Sequence, residues 1–317
     1  MPRLEININK IKHNARTLKD RFAKKGITIT SVIKGVAGSP EIANAIIECG
    51  INTIAVSKIQ DIKKMKESGV KARFLLTRLP AHSEVSDIVK YGDISLNSEI
   101  STIKLLSEHS LKQGKRHKII LMLEMGDLRE GILPEDLDSI IEQTIPLKGI
   151  DLYGIGVNFA CFGGIKPSEK NMIKLSQIAD HIQEKYHIKI DIVSGGNSAN
   201  YQWFSHTDNT GNINNLRIGE AILLGIDPVN KNKIPGLYID AFTLICEVIE
   251  NKFKPLIPYG DKCQNTFDYR PEFTNIDSID RIIIGIGEQD VDTKAIRPRI
   301  KADMLGASSD HLILHIK

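Results

Sequence analysis

Residues 4–8 alternate as LEINI, the period of a half-buried strand, and the chain then changes to helical spacing of its apolar residues from Asn9 to Lys25. From Thr28 a fixed rhythm begins. Short apolar runs, TITSVI (28–33), NTIAVS (52–57), RFLLT (73–77), ISLN (94–97), KIILMLE (118–124), DLYGIGVN (151–158), IKIDIV (188–193) and a stretch over 213–218, are separated by helix-like segments. Several of those segments, EIANAIIECG, IQDIKKMKESG and HSEVSDIVKYG, stop at a glycine, a common helix C-terminal signal. Eight strands in strict β-then-α order predict a parallel sheet closed into a (β/α)8 barrel, an α/β fold whose active site lies at the C-terminal ends of the strands. After Pro228 the polar stretch VNKNKIPG reads as a linker, and AFTLICEVIE, RIIIGIG and HLILHI follow with β-type patterning and no long helical period. The expected domains are a barrel over 1–235 and a small β domain over 236–317, with the LEINI strand a candidate to pair with the latter.

Composition narrows the function classes. The chain has 317 residues, 41% of them hydrophobic and 26% charged, with a net charge of +3. That balance argues against a nucleic-acid surface or a polybasic membrane patch. No run of about 18 apolar residues marks a membrane span, and the first residues, MPRLEININKIKHN, lack a signal-peptide core. Cys49, Cys161, Cys246 and Cys263 are widely spaced, as reduced thiols of a cytoplasmic protein are. No histidine pair has metal-ligand spacing, so no metal is expected.

The strand ends carry the candidate chemistry. Lys34 closes TITSVI before Gly35, Gly38 and Pro40 break the strand. Burial there would depress its pKa and leave a free amine for a Schiff base; the alternative is a lysine that snorkels to water. SGGNSAN (194–200) brings two glycines and an N-capping Asn197-Ser198 pair to a strand end, a pattern suited to an anion and equally to a plain helix cap. LRIGEAILLG (216–225) places Arg217 at another, EMGDLREGI (124–132) places Arg129 on a loop, and Asn158 ends the DLYGIGVN run.

In this order, VIKGVAGSP, EMGDLREG, Asn197-Ser198-Ala199 and Arg217-Ile218-Gly219 resemble the alanine-racemase-like, fold-type III family of pyridoxal-phosphate enzymes over nearly the whole chain. GEQDVD (287–292) and GASSDHLIL (306–314) resemble its alanine/ornithine racemase group most. The resemblance implies that Lys34 binds pyridoxal 5'-phosphate and serves as a base, and that Arg129 reaches substrate and cofactor. It implies further that Asn158, Asn197, Ser198, Arg217 and Gly219 hold the cofactor, with Arg217 facing its ring nitrogen. The family's tyrosine contact to the phosphate has no counterpart in VIKGVAGSP, and a lysine common in alanine racemases is Met122 here. A homodimer with shared sites is implied, in which the segment of Ser309 and Asp310 meets the partner's substrate.

The activity implied is interconversion of the L and D forms of a free amino acid, ornithine foremost, with alanine or lysine as alternatives. A donor-only guanidinium at the ring nitrogen suits it, because a weaker electron sink favours reprotonation at Cα over transamination. Glu288, Asp290, Asp292 and Asp310 are candidates to pair with a distal ammonium. Cys263 falls at the position of the family's second base, with Tyr259, Tyr269 and the Asp310–His311 pair as alternatives. Competing readings are a non-enzymatic pyridoxal-phosphate homeostasis protein and a D-threonine-aldolase-like lyase. The β domain argues against the first, and SSDH (308–311) lacks the metal ligands of the second.

Overall fold

A computed structural model describes residues 2–255, 259–260 and 278–317. The chain divides into two compact units, Asn7–Ala241 and a second one made of Met1–Ile6 with Phe242–Lys317. The first strand, β1 (Arg3–Ile6), belongs to the second unit and is taken up with it.

The larger unit opens with α1 (Ile8–Ala23), capped by Asn7, whose side chain accepts from Lys10 N at 3.1 Å. Ile11, Ala15, Leu18 and Phe22 form its buried stripe at helical spacing, together with Asn14. Burying an amide requires partners, and Asn14 has them: it donates to Ile222 O and Tyr238 O and accepts from Tyr238 N. Strands and helices then alternate: β2 (Thr28–Val32), α2 (Pro40–Ile47), β3 (Thr53–Val56), α3 (Ile59–Glu67), β4 (Arg73–Leu76), α4 (Val85–Tyr91) and β5 (Ile94–Asn97). α5 (Ile100–Lys112), β6 (His117–Leu123), α6 (Leu137–Thr144), β7 (Ile150–Val157), α7 (Glu169–Tyr186), β8 (Ile192–Ser194), α8 (Tyr201–His206), β9 (Asn215–Ile218) and α9 (Glu220–Leu224) follow.

The eight strands β2 to β9 close in sequence order, and each ladder is parallel. The barrel predicted from the alternation is therefore the barrel observed. Ala55, Leu75, Ile94, Leu96, Ile120 and Met122 fill its interior from β3 to β6. β8 is shorter than the run IKIDIV suggests. Ile190 N donates to Gln183 Oε1 on α7, so the ladder starts only at Ile192.

The smaller unit holds two antiparallel sheets. β1 pairs with β10 (Phe242–Ile245), Arg3 opposite Ile245 and Ile6 opposite Phe242. The other sheet runs β11 (Val248–Pro255), β12 (Ser278–Ile284), β14 (Leu312–Ile316), β13 (Ala302–Ala307). Its core gathers Ile282, Ile286, Leu312 and Leu314, and on β14 the buried positions alternate as a one-sided sheet requires. β13, ADMLGA, was not foreseen: it has few β-formers and owes its form to pairing with β14.

Candidate functional site

At the C-terminal strand ends of the barrel, hydrogen bonds and close packing link the predicted residues in an arc from β6 round to β2. It begins after β6, where Asp127, 3% exposed, accepts from Cys161 N at 3.1 Å and Phe162 N at 3.3 Å and faces Asn158 Nδ2 at 3.4 Å. One buried carboxylate thus ties the loop after β6 to the loop after β7. Asn197 Nδ2 donates to Asn158 Oδ1 at 3.1 Å and Phe159 O at 2.8 Å, which brings in the loop after β8. The Asn197 side chain accepts from Ala199 N, and the Asn200 side chain accepts from Asn197 N, a reciprocal cap at the start of a 3₁₀ turn.

Ser198 carries the arc to β9. Its hydroxyl oxygen accepts from Gly219 N and Ala221 N, each at 3.2 Å, and the residue is 4% exposed. With both lone pairs occupied, the hydroxyl proton is left to donate to an acceptor. Gly219 packs on β2 so tightly that a Cβ there would lie 2.7 Å from Val32 O. Two residues beyond Val32, Lys34 opens a 3₁₀ turn (Lys34–Val36).

Lys34 corrects one expectation. It is exposed in this chain, so the barrel itself does not provide the burial from which a depressed pKa was argued. Its place at the strand end agrees with the reading; its predicted desolvation does not.

Arg217 is the opposite case. It is 4% exposed and donates through Nη1 to Ser194 Oγ at 2.6 Å and through Nη2 to Val157 O at 2.7 Å. Burial pushes its pKa down to about 10, with Glu130 opposing that shift and Arg129 adding to it, so it stays charged at neutral pH. No carboxylate bonds it directly among the described residues. Gly156, which the sequence reading passed over, leaves it room: a Cβ there would stand 3.3 Å from Arg217 Nη1.

Arg129 has Nε and Nη2 on the two oxygens of Glu130 and Nη1 at 2.8 Å from Cys161 Sγ. The bonds to Glu130 raise its pKa above the usual arginine value. With the Asn158 amide in its other orientation, its oxygen accepts from Arg129 Nη1 and Phe159 N, each at 3.3 Å, in place of the bond from Asn197 Nδ2.

Ser309 and Asp310 belong to the smaller unit. Asp310 Oδ1 meets His311 Nδ1 at 2.8 Å and accepts from Ser308 Oγ at 3.0 Å, and the bond to His311 leads the causes that hold its pKa below the ordinary value. Glu288 accepts from Thr293 Oγ1, Asp290 from Gly287 N and Asp292 from Lys294 N, so each of these carboxylates fastens its own loop. Tyr259 is 93% exposed, and Cys263 and Tyr269 lie outside the described residues. A cavity of about 450 Å³ opens at the other end of the barrel, where Thr28, Arg73 and Tyr153 stand; its lining includes none of the residues of the arc.

Pyridoxal phosphate fits this donor set. Ser198 offers a buried hydroxyl proton, Arg217 offers unpaired guanidinium N–H groups beside it in the fold, and Lys34 offers an accessible amine.

Comparison with known proteins identifies the family. The family described as alanine racemase, N-terminal domain, matches residues 6–227. An ornithine racemase of Acetoanaerobium sticklandii is 37% identical over 317 residues, covering 99% of this chain and 89% of the relative. A lysine racemase of Thermotoga maritima is 35% identical, covering 99% of this chain and 88% of the relative. The solved alanine racemase of Clostridium difficile 630 superposes with a TM-score of 0.75 at 19% identity, covering all of this chain and 83% of that one, a likeness of fold. The chain belongs to the alanine racemase family, and its enzyme class is amino-acid racemase.

Proposed function

We propose that this chain is a pyridoxal-phosphate-dependent racemase of a free amino acid, ornithine first, with lysine and alanine as the alternatives. The observation that carries the reading is the 37% identity to an ornithine racemase along 99% of the chain, both units included.

When bound, pyridoxal phosphate supplies the electron sink that makes the Cα–H bond of an amino acid breakable. The chain's own residues do the rest. Lys34 anchors the cofactor through its amine and moves a proton at Cα on one face. The Ser198 hydroxyl donates to the phosphate, and Asn158 and Asn197 brace the loops around it. Gly219 seats β9 against β2 and fixes the Ser198 oxygen from behind. Arg217 would face the ring nitrogen with N–H donors only, which would leave that nitrogen unprotonated and favour reprotonation at Cα. Arg129 contacts substrate and cofactor oxygens.

Racemisation needs a second proton donor on the opposite face. Cys263, Tyr259, Tyr269 and the Asp310–His311 pair are the candidates, and Ser309 and Asp310 act across a homodimer on the partner's substrate. The test is a chiral assay of the holoenzyme against ornithine, lysine, alanine and serine, with the cofactor's visible absorbance recorded. Ornithine or lysine should be converted in both directions at least about tenfold faster than serine, in line with one well-placed ion pair. Equal rates across the panel would discard the basic-substrate reading, and no visible absorbance would discard the cofactor.

A further inference from the structure

The Arg129–Glu130 pair stands in the loop after β6, and its charges are felt at Arg217 on β9. Arg129 and Glu130 are neighbours in sequence, a spacing at which extended side chains point to opposite faces. Here the backbone turns them together. Leu128 adopts a left-handed φ of 52° while its side chain is 70% exposed, so packing does not explain the conformation. Gly131, at φ 155°, runs so close to β6 that a Cβ would stand 2.4 Å from Glu124 N. The outcome of that bend is a two-point contact in which both Glu130 oxygens meet the Nε and Nη2 edge of Arg129.

Glu130 is well placed for more than a surface ion pair, since its side chain is only 12% exposed. Its field also reaches Arg217, where it favours the buried charge that Arg129 disfavours. Glu130 takes the side edge of Arg129, and Cys161 meets Nη1, so the guanidinium has a fixed direction. With Glu130 ionised, one positive charge of the rim is offset; without it the rim is more positive by one.

We propose that Glu130 is the positioning and specificity-determining residue of this site: it fixes the direction of Arg129 and lowers the positive charge of the rim so that a substrate with a distal ammonium is accepted. The proposal deepens the racemase reading and rests on it for the reaction, but not for the binding effect.

The experiment compares wild-type holoenzyme with Glu130→Gln and Glu130→Asp. Calorimetry measures binding of 5-aminopentanoate, which has a carboxylate and a distal ammonium but no α-amine to react, and of pentanoate, which lacks the ammonium. E130Q should weaken 5-aminopentanoate relative to pentanoate by about tenfold, and E130D should restore most of the ratio. In parallel, E130Q should raise KM for ornithine more than for norvaline, its counterpart without the distal amine. An unchanged ratio in E130Q overturns the proposal, whether both ligands weaken together, as a purely structural loop role predicts, or neither does. Wild-type holoenzyme that racemises neither ornithine nor norvaline sinks the racemase reading instead, and the calorimetric ratio still decides the role of Glu130.

Discussion

His117 and Arg217 are both buried in the barrel wall, one where β6 begins and the other near where β9 ends, and burial has opposite consequences for them. His117, 3% exposed, has its ring Nε2 against Ser95 Oγ at 2.9 Å. Burial, with a smaller contribution from Lys115, lowers its pKa to about 4, so it is neutral at ordinary pH. Arg217 has no neutral form within reach and remains a buried cation with Ser194, Val157 and the field of Glu130 around it. A sheet that wanted only stability would treat both ends as it treats His117. A charge kept at the C-terminal end of the strands is the pattern of a candidate site.

The contrast can be broken most sharply at Lys34. Lys34→Ala should cut racemisation by about a thousandfold or more. Because the side chain is exposed, the melting free energy should move by no more than about 0.5 kcal/mol. Coincident loss of activity and stability would make Lys34 a structural residue.

At the other end the expected signature is stability alone. The folded state refuses a proton that the unfolded chain accepts below its ordinary value near 6.5. Stability should therefore be intact above that pH and fall as pH drops toward about 4, by about 3 kcal/mol in total. His117→Asn should remove this part of the acid slope in a denaturant titration repeated across pH. A slope that survives the substitution assigns it to other groups.

The smallest effect sharpens the comparison from beneath Arg217. Gly156→Ala puts a methyl 3.3 Å from Arg217 Nη1 and 3.3 Å from Ser194 Cβ, closer than either neighbour accepts without shifting. Destabilisation of about 1 kcal/mol is expected, together with a changed absorbance of the bound cofactor. A change in neither would show that the space beside Arg217 is slack.

The strands of the barrel were legible because each is a β-rich run between helical periods, and parallel strands buried on both faces leave that mark. β13 left none, since its order comes from a partner strand. α9, Glu220–Leu224, is too short for its period to register. In the candidate site, the strand-end placement of Lys34, Arg217 and Ser198 could be read from the sequence. The solvation of Lys34 could not, because a strand end says nothing about what covers it. Glu130 and Asp127 escaped notice for a related reason. Adjacent charges in a glycine-containing loop read as solvated, and only the backbone bend at Leu128 and Gly131 turns them into a buried carboxylate and a paired one.

The pairing of β1 with β10 makes the barrel, in effect, an insertion within the smaller unit. A ribosome produces Arg3 roughly 240 residues ahead of Ile245, which at ordinary translation speed leaves β1 waiting on the order of ten to fifty seconds. All eight barrel strands emerge in that interval, so the barrel can close while Leu4 and Ile6 still offer an unpaired strand edge to other nascent chains. Anything fused immediately before Arg3 will therefore be felt at the far end of the sequence, in the assembly of the C-terminal sheets, rather than in the barrel it precedes.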